Sequence, residues 1–481
     1  MMQGIAEPDK TLVLILFLFV YILIMTELID RTVAALIGAV LMVFYQILSM
    51  EGAIVELYEN LSILLLIIGM FIIVEVTKGA GFFQYLAVRM LKASGGEPIR
   101  LLVLFCALGS GLSVFLTNVA SMVILGSLTL IVCDALRLDP KPFLISEALI
   151  LDVGGLTTIV SSIPNMIVGQ AAGYDFVSFF LMFAPFVLVA SITAIYFCRR
   201  AFSKELIPEG REMVSTDVID FLDEWSVVED KNLFYRAAGI FILVLACFTL
   251  GEKLGPPFEN LGFVAIMGAV LALFLSGIEP ERVFHEIEWS SLFFFGSLFI
   301  VVKGATEAGL LTDLAYLLAR VAGDSLLGIS LLICWIGGIA SSLVDNIPIT
   351  VAFLPVIKEL PNISSNFVMN GAPHDSLWSS LILGANLGGG FTPIGSPSNI
   401  IALNMYYSAV KNPEKQSEFF KTFFRIGVLL SVILMSIATL YIFFALFLGS
   451  LAVSALTIVV GIGALFFSTR PWEHIHIRKQ D

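Results

Sequence analysis

Residues 154–165 read GGLTTIVSSIPN, and residues 388–399 read GGGFTPIGSPSN. Laid on one another at an offset of 234 residues (388 against 154), they match at Gly154 and Gly388, Gly155 and Gly389, Thr158 and Thr392, Ser162 and Ser396, and Asn165 and Asn399. Glycine and proline interrupt a helix, so in this apolar setting each stretch reads as an unwound break inside a hydrophobic helix. Toward the N-terminus the offset becomes 228 (290 against 62). There Ser62 meets Ser290, Gly81 meets Gly309, Cys106 meets Cys334, Gly109 meets Gly337, Ser113 meets Ser341 and Asn118 meets Asn346. A fixed offset that matches polar and small residues as well as apolar ones is the mark of an internal repeat.

The surrounding chain is built for lipid. Of 481 residues, 58% are apolar and 14% charged, with mean hydropathy +0.98, where soluble domains run near 45–50% and about 25%. Hydropathy windows place spans at 11–29, 31–50, 60–78, 142–170, 176–198, 235–251, 260–278, 288–305, 377–402, 420–445 and 450–468. Residues 98–135 and 325–357 are long apolar runs split midway by Thr117-Asn118 and Asp345-Asn346. They read as helical hairpins that enter and leave on one side, which is tolerated at depth only where protein or a cavity surrounds the turn. The expected fold is therefore an all-α polytopic membrane protein: about 11 transmembrane helices, two re-entrant hairpins and discontinuous helices at the binding site.

Charge placement orients the chain. With the N-terminus outside and the C-terminus cytoplasmic, all of the 26 Lys and Arg except Lys10, Lys253, Arg320, Lys358 and the unplaced Lys303 fall on the cytoplasmic side. Arg31, Lys92, Arg100, Arg137 and Lys141 are among the cytoplasmic ones. The base of the first hairpin then lies inside and that of the second outside, so the repeats are inverted. They comprise residues 1–198 and 235–445, joined by a cytoplasmic linker, 199–234, and followed by an extra helix and tail, 446–481. Inverted repeats with interrupted helices at corresponding places point to the binding site of a secondary transporter.

The breaks from Asp152 to Asn165 and from Asn386 to Asn399, with the hairpin tips Thr117-Asn118 and Asp345-Asn346, supply the candidate ligands. Freed carbonyls, N–H groups and helix ends there are ligands for a cation or an oxyanion. Asn118, Asn165, Asn346 and Asn399 can donate and accept, and they would line two facing clamps with sodium as one occupant. Plain helix capping is the competing role. Asp152 and Asp345 are ionisable groups within apolar segments, so a cation or proton falls to them by default. Glu75 and Lys303 occupy equivalent positions and suit structural charges; Glu147 is open between the two. None of the four histidines lies in a span, and His374 reads as solvated. No GxxxxGK[ST], Ser-His-Asp or HExxH pattern appears, the five cysteines stand singly, and no cofactor or nucleic-acid partner is expected.

The stretches TNVAS (117–121), EALILDVGGLTTIVSSIPN (147–165), EWSSLFFFGSLFIV (288–301), SSLVDNIPIT (341–350) and NLGGGFTPIGSPSN (386–399) resemble the ion transporter superfamily. That group holds the ArsB arsenite permeases, the NhaD Na+/H+ antiporters, the melanosomal P protein, and the citrate and divalent-anion/sodium symporters. The resemblance implies a scaffold domain, a mobile elevator-like transport domain, a homodimer in the plasma membrane, and ion sites at the tips and breaks. The symporters carry Ser-Asn-Thr at each tip; here the asparagines carry over and the flanking hydroxyls largely do not. Where ArsB, NhaD and P-protein relatives commonly show glycine and aspartate, this chain has Ser161 and Ser162. Two activities follow as expectations: a Na+- or H+-coupled permease for a small anion, carboxylate or arsenite-like, or a Na+/H+ antiporter using Asp152 and Asp345.

Overall fold

The computed structural model describes residues 9–26, 28–206 and 224–448. The expected span 450–468, the tail and the middle of the linker lie outside the described residues. The chain is all-α and polytopic. In order the helices are α1 (Lys10–Thr26), α2 (Arg31–Phe44), α3 (Met50–Glu59), α4 (Leu61–Gly79), α5 (Phe82–Ser94), α6 (Pro98–Leu112), α7 (Asn118–Ala135), α8 (Lys141–Gly154), α9 (Ile163–Ala172) and α10 (Phe176–Leu206). After the linker come α11 (Lys231–Leu254), α12 (Leu261–Ser276), α13 (Pro280–His285), α14 (Trp289–Glu307), α15 (Leu310–Ala322), α16 (Leu326–Val344), α17 (Asn346–Ile363), α18 (Asp375–Gly389), α19 (Pro397–Ala409) and α20 (Pro413–Leu448). Seven described helices are long and apolar enough to cross a membrane singly, and α1, α2, α6 and α12 are shorter apolar ones.

Helix bounds recur at the offset found in the sequence. Shifted by 228, α4 falls on α14, α5 on α15 and α7 on α17 at both ends; α8 and α9 shifted by 234 start where α18 and α19 start. The local signals recur too. Gly81 and Gly309 open α5 and α15 with left-handed backbone, and Gly95 and Gly323 close them the same way. Packing is reciprocal across the halves: α4 lies on α12 as α14 lies on α2, and α9 lies on α17 and α18 as α19 lies on α7 and α8. Two bundles result, one from α1–α4 with α11–α14, the other from α6–α10 with α16–α20, and α5 and α15 connect them. Lys92 of α5 holds Glu224 at the end of the linker at 2.6 Å, and this hydrogen bond lowers the pKa of that partly exposed carboxyl.

Element limits differ from the hydropathy reading in instructive ways. The span expected at 31–50 stops at Phe44, and a separate ten-residue helix, α3, follows, capped by Ser49. The second hairpin runs on to Ile363 rather than 357, and the broken helices cover 141–172 and 375–409 rather than 142–170 and 377–402. Every residue of α8 is buried, as is all of α18 beyond Asp375, so the broken helices run through the middle of the second bundle.

Small residues set the closest approaches. A Cβ on Gly384 of α18 would stand 2.3 Å from the Cys334 carbonyl oxygen of α16, and one on Gly69 of α4 would stand 2.5 Å from the Ala265 carbonyl carbon of α12. Backbone cannot yield as a flexible side chain can, so Gly384→Ala and Gly69→Ala should each destabilise the detergent-solubilised protein by about 1–3 kcal/mol. Gly337 has open space around it, so Gly337→Ala should melt at or above the wild-type midpoint. Equal midpoints for all three variants would contradict this packing.

Candidate functional site

Lipid offers a broken helix no water, so its freed backbone groups need partners from the protein. Helix α8 ends at Gly154 and α9 starts at Ile163; α18 ends at Gly389 and α19 starts at Pro397. The breaks thus span 155–162 and 390–396, which places Asp152 and Asn386 on the last helical turns before them rather than inside them. Asn165 Nδ2 donates to the carbonyls of Gly155 and Thr158, both at 2.8 Å, and Asn399 Nδ2 donates to those of Gly389 and Thr392 at 2.9 and 3.0 Å. Thr158 Oγ1 donates to the Val114 carbonyl (2.5 Å) and Thr392 Oγ1 to the Ser342 carbonyl (2.8 Å), tying each break to its own hairpin. Ser162 caps α9 by accepting from the Asn165 N–H at 3.4 Å. Gly154 and Gly388 permit close contact with the hairpin backbone: a Cβ would lie 2.7 Å from the Ser110 oxygen or 2.2 Å from the Gly338 oxygen.

The two halves meet at Asp152. Its Oδ1 accepts from Asn118 Nδ2 and from Ser398 Oγ, both at 3.1 Å, and its Oδ2 accepts from Ser396 Oγ at 3.0 Å. The equivalent residue, Asn386, reaches the opposite way and donates through Nδ2 to Asn165 Oδ1 at 3.1 Å and to the Ile382 carbonyl at 2.9 Å. Asp152 is 2% exposed, and Asn165, Ser398 and Asn399 are fully buried. Gly155 adjoins the same cluster, since a Cβ there would lie 2.4 Å from Asn118 Oδ1.

Three amide oxygens, Asn118 Oδ1, Asn386 Oδ1 and Asn399 Oδ1, are buried without a partner. Their orientation follows from their NH2 groups, each of which faces an oxygen acceptor. Of these, Asn118 stands beside the Asp152 carboxylate, and an unpartnered amide oxygen next to a carboxylate suits a hard monovalent cation or a proton. Among the described residues no group of three or more His, Cys, Asp and Glu could hold a metal.

The remaining candidates are held by other contacts. Asp345 alone makes the turn of the second hairpin, at φ 86° and ψ 148°, whereas the first hairpin uses residues 113–117. Its Oδ2 lies 2.8 Å from Arg31 Nη1 of α2, and its Oδ1 accepts from the Asn346 N–H at 2.6 Å. Arg31, read from the sequence as a cytoplasmic loop charge, thus pairs with a hairpin tip. Tyr21 Oη adds a second tie, donating to the Pro348 carbonyl at 2.9 Å. Asn346 takes part through its backbone, its carbonyl accepting from Thr350 Oγ1, and no side-chain bond joins it to the Asp152 cluster. Thr117 caps α7. His374 caps α18 through Nδ1 rather than standing free in solvent.

Glu147 is fully buried; Thr129 donates to its Oε1, and its Oε2 has no partner. Glu75 pairs with Lys78 at 3.0 Å and Lys303 with Glu56 at 3.5 Å. Sequence reasoning missed Ser398, Arg31 and Tyr21. Ser398 carried a signal, because it replaces Pro164 in the repeat alignment. Arg31 and Tyr21 carried none.

Comparison with known proteins fits this arrangement. The model of the citrate transporter family matches residues 21–382. An uncharacterized transporter of Mycobacterium tuberculosis is 30% identical over 393 residues, covering 81% of this chain and 89% of its own. A 46 kDa membrane protein of Mycobacterium leprae is 30% identical over 433 residues, covering 88% and 96%. The human P protein is 26% identical over 519 residues, covering 92% of this chain and 61% of its own. A broken-helix membrane core, matched by a family model over most of its length, makes this chain a membrane transporter that belongs to the citrate transporter family.

Proposed function

We propose that the chain is a secondary active permease that couples a Na+ or H+ to the movement of a small anion of carboxylate type. The observation that carries this reading is Asp152, buried where both halves meet and bonded by Ser396, Ser398 and Asn118, whose own amide oxygen is buried without a partner. A cation there would neutralise the carboxylate, and the Asn118 amide oxygen beside it is an acceptor that otherwise costs free energy. The N-termini of α7 and α19 start at the same cluster, and their dipoles favour an anion beside the bound cation. Co-binding of opposite charges is what coupling requires. The two-bundle build supports alternating access in which α6–α10 and α16–α20 shift against α1–α4 and α11–α14, with the halves oppositely oriented in the membrane.

A Na+/H+ antiporter is the second reading, and Asp152 serves it equally well. Asp345 does not, because Arg31 already neutralises it.

Uptake of citrate and succinate into proteoliposomes under an imposed Na+ or proton gradient tests the first reading. Wild-type protein should accumulate at least one of them, and Asp152→Asn should lose the gradient dependence with a fall in rate of roughly tenfold or more. Gradient-driven uptake that survives Asp152→Asn would overturn it.

The ion pair makes a separate prediction. Arg31→Gln or Asp345→Asn leaves one charge without its partner, so each should lower the melting midpoint, and the double variant should lose less than the two losses added together. Asp345→Asn should keep the ion dependence that Asp152→Asn loses. Abolition of Na+ flux by Asp152→Asn, in protein that moves no anion, would favour the antiporter.

A further inference from the structure

Lys303 is the basic residue whose charge could not be assigned to either side of the membrane, and it lines a pocket of about 350 Å3. The pocket lies between the bundles, with Glu56, Glu59 and Asn60 on one wall, Lys303 of α14 beside them, and Gln170 of α9 with Lys358 of α17 opposite. Helices α9 and α17 run from this pocket back to the first break and the second hairpin tip. At about 1.5 Å rise per residue, Gln170 is roughly 7 Å along its helix from Asn165. Lys303 is 32% exposed and only loosely held, at 3.5 Å from a Glu56 carboxylate whose other oxygen accepts from Asn60 Nδ2 at 2.9 Å. Lys358 is exposed and, among the described residues, has no ion-pair partner.

We infer that this pocket is an anion-capture vestibule for the transported solute, where Lys358 and Lys303 take the carboxylates of the incoming anion and Glu56 gives up Lys303 to it. The inference rests on the permease reading and adds a specificity site to it. Three features support capture. A cation inside an apolar helix is costly and marks a solute path by default. A long, weak pair exchanges partners more readily than a short bidentate one. The lining comes from both bundles, so an occupant would contact each of them as they move.

Glu56 and Lys303 have opposite expected effects, which separates capture from a structural ion pair. In proteoliposomes of phosphatidylcholine alone, with citrate and succinate as probes, Lys303→Gln and Lys358→Gln should each raise KM roughly tenfold with little change in maximal rate. Lys303→Arg should restore KM, and Glu56→Gln, which frees Lys303, should lower it. If Lys303→Gln and Glu56→Gln instead lower maximal rate and melting midpoint together with KM unmoved, the pair is structural and the inference falls. If the lysine effects arise only when phosphatidylglycerol is added, the pocket holds a lipid phosphate and the inference falls. Wild-type protein that carries no carboxylate at all would defeat the permease reading itself, an outcome distinct from transport whose KM ignores both lysines.

Discussion

Unwinding a helix inside lipid exposes carbonyls that water cannot reach, and the centre of this protein is arranged around answering them. Asn165 and Asn399 spend both amide hydrogens on the carbonyls of their own breaks, at residues 155 and 158 and at residues 389 and 392. Because each side chain bridges the end of one half-helix to the middle of the break, the unwound segment is held as firmly as a helix turn. That rigidity fixes the N-termini of α9 and α19 and leaves the amide oxygens aimed away from the breaks. One of those oxygens meets Asn386; the other meets nothing.

On this nearly symmetric frame the chemistry is one-sided. Asp152 has Asn386 as its counterpart, Ser398 has Pro164, Asp345 has Thr117, and Arg31 has Glu259, so the charged groups that distinguish the halves fall where the repeat alignment mismatches. Helix α16 also runs four residues further than α6 would at the same offset, which removes the five-residue turn of the first hairpin and puts Asp345 alone at the tip. A non-glycine residue at φ 86° and ψ 148° costs of order 1–3 kcal/mol, and such backbone persists where the surroundings over-determine it. Arg31 on one carboxylate oxygen and the Asn346 N–H on the other supply that constraint.

How much of this was legible in the sequence depended on how few structures each signal permits. Glycine, proline and asparagine grouped within an apolar run leave little besides a break, so both breaks and both tips were visible, and the offset recurs to the residue at both ends of α4, α5 and α7. Helix α3 and the connecting helices α5 and α15 were not visible, because 10–13 residues of mixed polarity give no span-length hydropathy signal. The placement of Asp152 before the break, rather than in it, turned on which glycine ends the helix, and Gly154 stays helical while Gly155 does not. The Arg31–Asp345 pair joins residues 314 apart in sequence, and no local pattern in either segment announces the other.

That pair also bears on how the two bundles can move. Arg31 and Tyr21 belong to the first bundle and Asp345 and Pro348 to the second, so the second hairpin is tied across the interface by an ion pair and a hydrogen bond. The positions equivalent to Arg31 and Asp345 are Glu259 and Thr117, which have no charge pair to make. A displacement of one bundle along the other would therefore break polar ties at one tip and slide past the other. A fully buried charge left alone would make such a step prohibitive, on the scale of about 3–5 kcal/mol. Arg31, about one-third exposed, is half-solvated already, so water can replace much of what Asp345 gives it. In the alternating-access cycle proposed above, release of this tie would require another partner for Asp345, whose side chain is only 12% exposed.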